Sequence, residues 1–363
     1  MMFVNSQPAN ARHSVNWHLL ALLRFFLACV VVGVHVEAFI PGGIGHYLSI
    51  FGGKPAVLAF FLVSGFSIAA SIQKCQNGFM LRRLLRIYPM YFGAFLLTLA
   101  CQAIAVHAMD QPTYPADSIG RTIGNLLMTQ MFLVKALSYN GPFWSLSLEV
   151  FYYFLTPLFV LLRRSHLFAI IAISGAVFLL PANKDWGTAY ELLIKFNALK
   201  YIWAWLIGFC LYRETSTRWQ MIGFIVCAGI FSASIHANHY ATYITVLGTY
   251  LLLHVSHTVT LPRSWNKTFN YLGDLSYPLY LIHYPIIIAV GIAYEWKSDW
   301  ILYPIIFLTA SAFIIVFDGP IKKHVFRPFF TALLSATWIR KFLRFTPDHF
   351  TRCILVNPPN ARP

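Results

Sequence analysis

LLALLRFFLACVVVGVHVEAFI, residues 19–40, is the stretch whose reading decides the fold. An apolar run of about 20 residues, at ~1.5 Å rise per residue, is long enough to cross a bilayer as a helix. This run is broken only by Arg24, His35 and Glu37. Further apolar stretches follow at approximately 55–73, 84–106, 146–162, 167–181, 197–212, 219–236, 240–257, 271–292 and 300–317. The composition agrees: 58% of residues are hydrophobic and 11% are charged, against roughly 25% charged in soluble domains. The expectation is an all-α, polytopic transmembrane bundle of about ten spans. Its divisions are an N-terminal segment (1–18), a membrane domain (19–320) and a basic tail (321–363).

The chain carries 27 Lys+Arg against 12 Asp+Glu. Cytoplasmic loops of membrane proteins are rich in Lys and Arg, so the excess calls for no nucleic-acid partner. Lys74, Arg82, Arg83 and Arg86 place the second connection in the cytoplasm, and with it the N-terminus. The stretch 121–135 decides the rest. It is short and contains Arg121, Asn125, Gln130 and Lys135. If it stays on the outer face as an interfacial or re-entrant helix, Arg163 and Arg164, Arg213 and Arg218, and Arg263 and Lys267 all fall inside. The tail with Lys322, Lys323, Arg327, Arg340, Lys341 and Arg344 joins them. The opposite loops then hold mixed charge: Asp110 and Asp117; Lys184, Asp185, Glu191 and Lys195; Glu295, Lys297 and Asp299. Both termini are therefore expected in the cytoplasm, and the expected location is a bacterial inner (cytoplasmic) membrane. The tail's FFTALLSATWIRKFLRF reads as an amphipathic helix lying on membrane lipid. No cleavable signal peptide is evident, because the first apolar run is too long for one.

The six cysteines (Cys29, Cys75, Cys101, Cys210, Cys227, Cys353) form no CxxC pair. His236/His239 and His254/His257 have helical spacing, but no Cys or carboxylate completes a metal site. No metal and no resident cofactor are expected.

Charges inside spans are costly and mark functional candidates. Arg24 and His35 are eleven residues apart, which puts them within roughly 20° of one helix face and ~16 Å apart along the axis. Arg24 alone reads equally as a snorkelling side chain, and His35 alone as an interhelical hydrogen bond. A histidine is also the side chain best suited to take a hydroxyl proton near neutral pH. In LRRLLRIYP, Arg82, Arg83 and Arg86 share one broad helix face. They read as an anchor to anionic lipid or as a phosphate clamp. Glu149, in FWSLSLEVFYYFLTP, needs a partner or a wet cavity. Trp144 and Ser145 precede it by about a turn, and Trp144 also fits an interfacial belt. LGDLSYPLYLIHYP brings Asp274, Tyr277 and His283 into the ninth span, where His283 reads first as structural.

Together these segments resemble acyltransferase family 3, the membrane O-acyltransferases acting on glycans, over about residues 17–320. The Arg-x10-His spacing of Arg24 and His35, FFLVSGFSI (60–68, with Ser64), RRLLRIYP (82–89), FWSLSLEVFYYFLTP and LSYPLYLIHYP occur in the family's order. Two details depart from the pattern: Phe25 stands where a glycine often follows the arginine, and FDGP (317–320) replaces Glu-Arg-Pro. The resemblance implies an acyl-CoA donor, acetyl-CoA by default, in the cytoplasm. It implies a glycan or lipid-linked saccharide acceptor, such as lipopolysaccharide O-antigen or exopolysaccharide, at the outer face. It gives His35 the role of general base or transient acyl acceptor, Arg24 that of stabilising the thioester or oxyanion, Arg83 and Arg86 the CoA phosphates, and Glu149 the orientation of His35 or the sugar. Ser64, Trp144, Ser145, Tyr277 and His283 are further candidates. It leaves direct transfer and an acyl relay both open. With no room for an added extracytoplasmic domain after the last span, a stand-alone transferase is expected. The alternative class is a secondary transporter or flippase for a glycolipid or small anion, whose paired-repeat signature is missing from the sequence.

Overall fold

The computed structural model describes residues 15–108, 115–180, 197–214, 216–292, 300–336, 339 and 348–354. Among them every regular element is a helix, apart from one isolated bridge between Gln130 and Val134. The helices are α1 (Trp17–Phe39), α2 (Ile44–Ser49), α3 (Gly53–Lys74), α4 (Phe79–Ala108), α5 (Ile119–Leu126), α6 (Trp144–Leu161), α7 (Arg164–Leu179), α8 (Asn197–Arg213), α9 (Thr217–Ser232), α10 (Tyr240–Val255), α11 (Asn266–Ile286), α12 (Leu302–Ser335) and α13 (Asp348–Ile354). A helix satisfies its backbone within itself, which is what hydrocarbon demands of a spanning segment. Among the described residues, five helical segments are long and apolar enough to cross a membrane: Trp17–Phe39, Gly53–Lys74, Phe79–Val106, Ser138–Leu161 and Leu302–Ser335. Arg164–Leu179 and Tyr240–Val255 are shorter apolar helices. The chain is thus a multi-pass membrane protein, all-helical over its described residues.

Local signals set several boundaries. The Asn16 side chain accepts from the Leu19 N–H and caps α1, and Ser118 does the same for Arg121 N–H at α5. The stretch 121–135 contains only the end of α5, whose 8 residues are too short to cross. After it, Met128 and Met131 take positive φ and turn the chain back. Asn125 and Gln130 are fully buried in that turn. Asn125 donates to the carbonyls of Arg121 and Lys135 and accepts from Leu137 N–H. Asp117 pairs with Arg121 and accepts from Ser138. The polar residues that weaken this stretch as a span are the ones that tie it down.

The last long helix does not stop at Pro320. A π-helical stretch, Ile314–Phe326, carries the chain past it into Arg327–Ser335. Phe326 and Phe330 then pack on Tyr88 of α4, so residues 321–335 continue a span-like helix rather than beginning a separate tail. Arg340, Lys341 and Arg344 lie outside the described residues, as do Asp110, Lys184, Asp185, Glu191, Lys195, Glu295, Lys297, Asp299 and most of the segment 1–18.

The bundle is built around α3 and α8. Of the most apolar window of α3, 78% is buried inside the protein, against 11% for α12, whose Leu308 and Ile315 face outward. In α8 every residue from Tyr201 to Leu211 is buried, the pattern of a helix surrounded by others. Gly65 and Gly208 let α3 and α8 touch backbone to backbone. A Cβ at Gly65 would sit 1.9 Å from the Trp205 carbonyl oxygen, and one at Gly208 would sit 2.0 Å from that of Leu62. Small residues at such crossings are the usual basis of helix association in lipid. Helix α1 packs on α11 and α3, α11 packs on α4, and α6 packs on α3 and α4. These five helices enclose the site.

Candidate functional site

A cavity of about 880 Å³, counting the space at its mouth, lies between α1, α3, α4, α6 and α11. Its polar lining is Arg24 from α1, Ser64 and Ser67 from α3, Arg83 and Arg86 from α4, Ser145, Glu149 and Tyr153 from α6, and Ser276, Tyr277 and Tyr280 from α11. Seven of the ten residues singled out from the sequence therefore line one cavity: Arg24, Ser64, Arg83, Arg86, Ser145, Glu149 and Tyr277.

Three guanidinium groups face one carboxylate across this space, and none of the three forms an ion pair with it among the described residues. Glu149 Oε1 instead accepts two hydrogen bonds of 2.6 Å, from Ser64 and from Tyr153 one turn further along α6. Arg83 donates to Ser71 at 2.6 Å, and its plane lies over the Phe79 ring. The buried Nε groups of Arg24 and Arg83, and the Ser67 hydroxyl, have no protein partner among the described residues. A buried donor without a partner costs about 1–3 kcal/mol, so these groups suit an occupant with anionic or carbonyl oxygens. The three neighbouring arginines of α4 divide. Arg83 and Arg86 face the cavity, whereas Arg82 turns away to bond the carbonyls of Cys75 and Asn77 and closes the turn before α4.

Tyr277 donates to the Ile87 carbonyl, holding α11 to α4. Ser145 donates to the Tyr280 hydroxyl at 2.7 Å, and Tyr280 donates on to the Pro142 carbonyl at 3.0 Å. Asp274, on the same helix, is exposed and does not line the cavity.

His35 and His283 are not among the lining residues. Three helical turns carry His35 past the end of the cavity, where it meets His283 of α11 at 3.1 Å between ring nitrogens. Tyr280 belongs to both places: it lines the cavity, and its ring lies 6.0 Å from that of His283. Of the two expected roles for Glu149, orienting His35 or the sugar, the first has no direct hydrogen bond among the described residues: Glu149 bonds Ser64 and Tyr153, and His35 meets His283. Trp144 also stands off the cavity. Its ring packs on Phe61 and Tyr201 and carries the Lys54 ammonium 3.8 Å above it.

Five residues of this region, Tyr153, Tyr280, Ser276, Ser67 and Lys54, were not singled out from the sequence. Tyr153 could have been found from its i+4 relation to Glu149, and Tyr280 from its i+3 relation to Tyr277. Ser67 carries no local signal, since it lines the cavity without a protein partner, and neither does Lys54, whose partners Trp144 and Tyr201 come from α6 and α8.

A multi-helix membrane domain with an arginine-walled cavity and a histidine pair beyond its end defines the class. The acyltransferase domain family matches residues 17–319, nearly the whole helical bundle, and the chain belongs to that family. Acyltransferase MdmB of Streptomyces mycarofaciens is 31% identical over 155 residues, covering 39% of this chain and 38% of the relative. The match thus spans less than half the length of that curated protein. No solved structure matches.

Proposed function

We propose that this chain is a membrane-embedded O-acyltransferase of a bacterial inner membrane. It moves an acetyl group from acetyl-CoA to a hydroxyl of a cell-surface or exported glycan. The observation that carries this reading is the shared cavity: Arg24, Arg83 and Arg86 supply cationic donors without enough protein counter-charge, as a phosphorylated thioester donor requires. Family membership supplies acyl transfer as the reaction class.

In this reading the chain spans the membrane about ten times with both ends in the cytoplasm, so the Arg24 end of α1 faces the donor. Arg83 and Arg86 hold the CoA phosphates. Arg24 adds a third cationic donor to that cavity and helps hold the anionic part of acetyl-CoA there. His35 takes the proton from the acceptor hydroxyl as its oxygen attacks the carbonyl carbon. The C–O bond forms, the C–S bond breaks, and the proton passes from His35 to the departing CoA thiolate. Glu149 keeps Ser64 and Tyr153 ordered on the donor side. The acceptor comes from the outer side, and Tyr280 stands between the two compartments.

The test is purified protein in lipid with labelled acetyl-CoA and candidate glycans, wild type beside His35→Ala. Transfer or hydrolysis by wild type, with loss in the variant, is the expected result. Wild type that neither transfers nor hydrolyses with any acceptor overturns the enzyme reading. Full activity in His35→Ala removes His35 from the chemistry.

A further inference from the structure

We propose that His283 is a positioning residue for His35, fixing its tautomer by accepting a hydrogen bond from its Nδ1–H, so that Nε2 of His35 is left free as the base. The inference rests on the proposed role of His35 and specifies what sets it up.

The protonation pattern follows from the partners. His35 Nδ1 lies 2.9 Å from the Val31 carbonyl oxygen, and His283 Nδ1 lies 3.1 Å from that of Leu279. Each is the carbonyl four residues back on the same helix. A carbonyl oxygen only accepts, so each Nδ1 must carry a hydrogen. In a neutral ring that leaves Nε2 with a lone pair. The Nε2 lone pair of His283 faces His35 Nδ1 at 3.1 Å. The Nδ1–H of His35 is therefore shared between the Val31 carbonyl and His283, and the reverse polarity would set two lone pairs against each other at Val31. Nε2 of His35 remains as the unprotonated nitrogen.

The same geometry acts during the reaction. When His35 takes a proton on Nε2, the ring becomes an imidazolium and its Nδ1–H becomes a stronger donor. Two acceptors already lie on that hydrogen, and neither must move. His283 is fully buried, with the Tyr280 ring at 6.0 Å on one side. The Tyr284 ring meets His35 edge-on at 5.1 Å. The pair is thus held rigidly, and its lone-pair acceptor cannot be replaced by bulk water. In a Ser-His-Asp triad, the acceptor behind the histidine fixes the tautomer, and its loss lowers kcat about 10⁴-fold. Here the acceptor is neutral and the Val31 carbonyl stays in place, so the effect is smaller.

The probe is acetyl-CoA, with its hydrolysis by the full chain in lipid read as kcat and KM. His283→Leu removes the acceptor and is expected to lower kcat about 10- to 100-fold with KM for acetyl-CoA unchanged. In His283→Gln the carbonyl oxygen can stand where Nε2 stood, and kcat is expected to return to within about threefold of wild type. The double variant His35→Ala/His283→Leu is expected to be no slower than His35→Ala alone, as residues acting through one another are not additive. Full kcat in folded His283→Leu beside an inactive His35→Ala overturns this inference and leaves the general-base reading standing. A folded His283→Gln as slow as His283→Leu also overturns it. Full activity in His35→Ala overturns both. Where His283→Leu does not fold, nitrogen NMR of wild-type protein labelled at histidine decides independently of turnover: a proton on Nδ1 of His35 supports the assignment, and a proton on Nε2 alone overturns it.

Discussion

Replacing Gly65 with alanine tests how tightly the site depends on the α3–α8 crossing. The added Cβ would stand 1.9 Å from the Trp205 carbonyl oxygen and 2.9 Å from the Phe209 nitrogen, both backbone atoms that no side-chain rotation can move. Ordinary contact begins near 3.4 Å, so the two helices must separate by about 1.5 Å. Overpacking of this kind costs about 1–3 kcal/mol, and backbone on both sides places Gly65→Ala at the upper end. The neighbouring residue is Ser64, which holds Glu149 at 2.6 Å. Shifting α3 carries Ser64 with it, and a misplacement of about 1 Å near reacting groups can cost roughly 10²-fold in rate. The matched control is Gly229→Ala on the exposed face of α9, where a Cβ meets nothing within 4 Å. There the better helix propensity of alanine stabilises by up to about 1 kcal/mol. The melting temperature in detergent should therefore fall for Gly65→Ala and rise slightly for Gly229→Ala, and acetyl-CoA turnover should fall only for Gly65→Ala. Equal melting temperatures for Gly65→Ala and wild type, or a loss shared equally by Gly229→Ala, would refute the reasoning.

Arg83→Ala is expected to raise KM for acetyl-CoA about tenfold or more, the loss of a charge-assisted hydrogen bond worth about 1.5–3 kcal/mol, while Arg82→Ala leaves KM near wild type because Arg82 bonds only the turn; initial-rate measurements separate the two. Glu149→Gln keeps an acceptor for Ser64 and Tyr153 but removes its charge, so kcat should fall about tenfold while the protein still folds, as checked by melting and by turnover. Asn125→Leu leaves the buried carbonyls of Arg121 and Lys135 and the Leu137 N–H without their partner, and should lower stability by about 2–4 kcal/mol in denaturant unfolding. Gly141→Cys, at a position where a side chain meets nothing within 4 Å, should react with an impermeant thiol reagent only from the outer side; labelling only from the cytoplasm would overturn the proposed topology.

The sequence alone determined where the chain is helical and what class of solvent surrounds it. Apolar run length is a local property, so each stretch read as a span falls on a helix. Local reading was weakest at ends. Pro320 marks a stop in most helices, yet tertiary packing of Phe326 and Phe330 on α4 carries the last helix onward to Ser335. Residue type and order also picked out Arg24, Ser64, Arg83, Arg86, Ser145, Glu149 and Tyr277, and the fold gathered them around one cavity. Only the tertiary structure decided who partners whom. Arg82 and Arg83 are adjacent and look alike in sequence, but helix rotation sends one to a turn and the other to the cavity. Glu149 finds Ser64 at a separation of 85 residues, and His35 finds His283 at 248. Such pairings depend on which helices are neighbours and how far each is turned about its axis. No periodicity within a single span contains that information, because hydrogen-bond direction is fixed only when two helices pack.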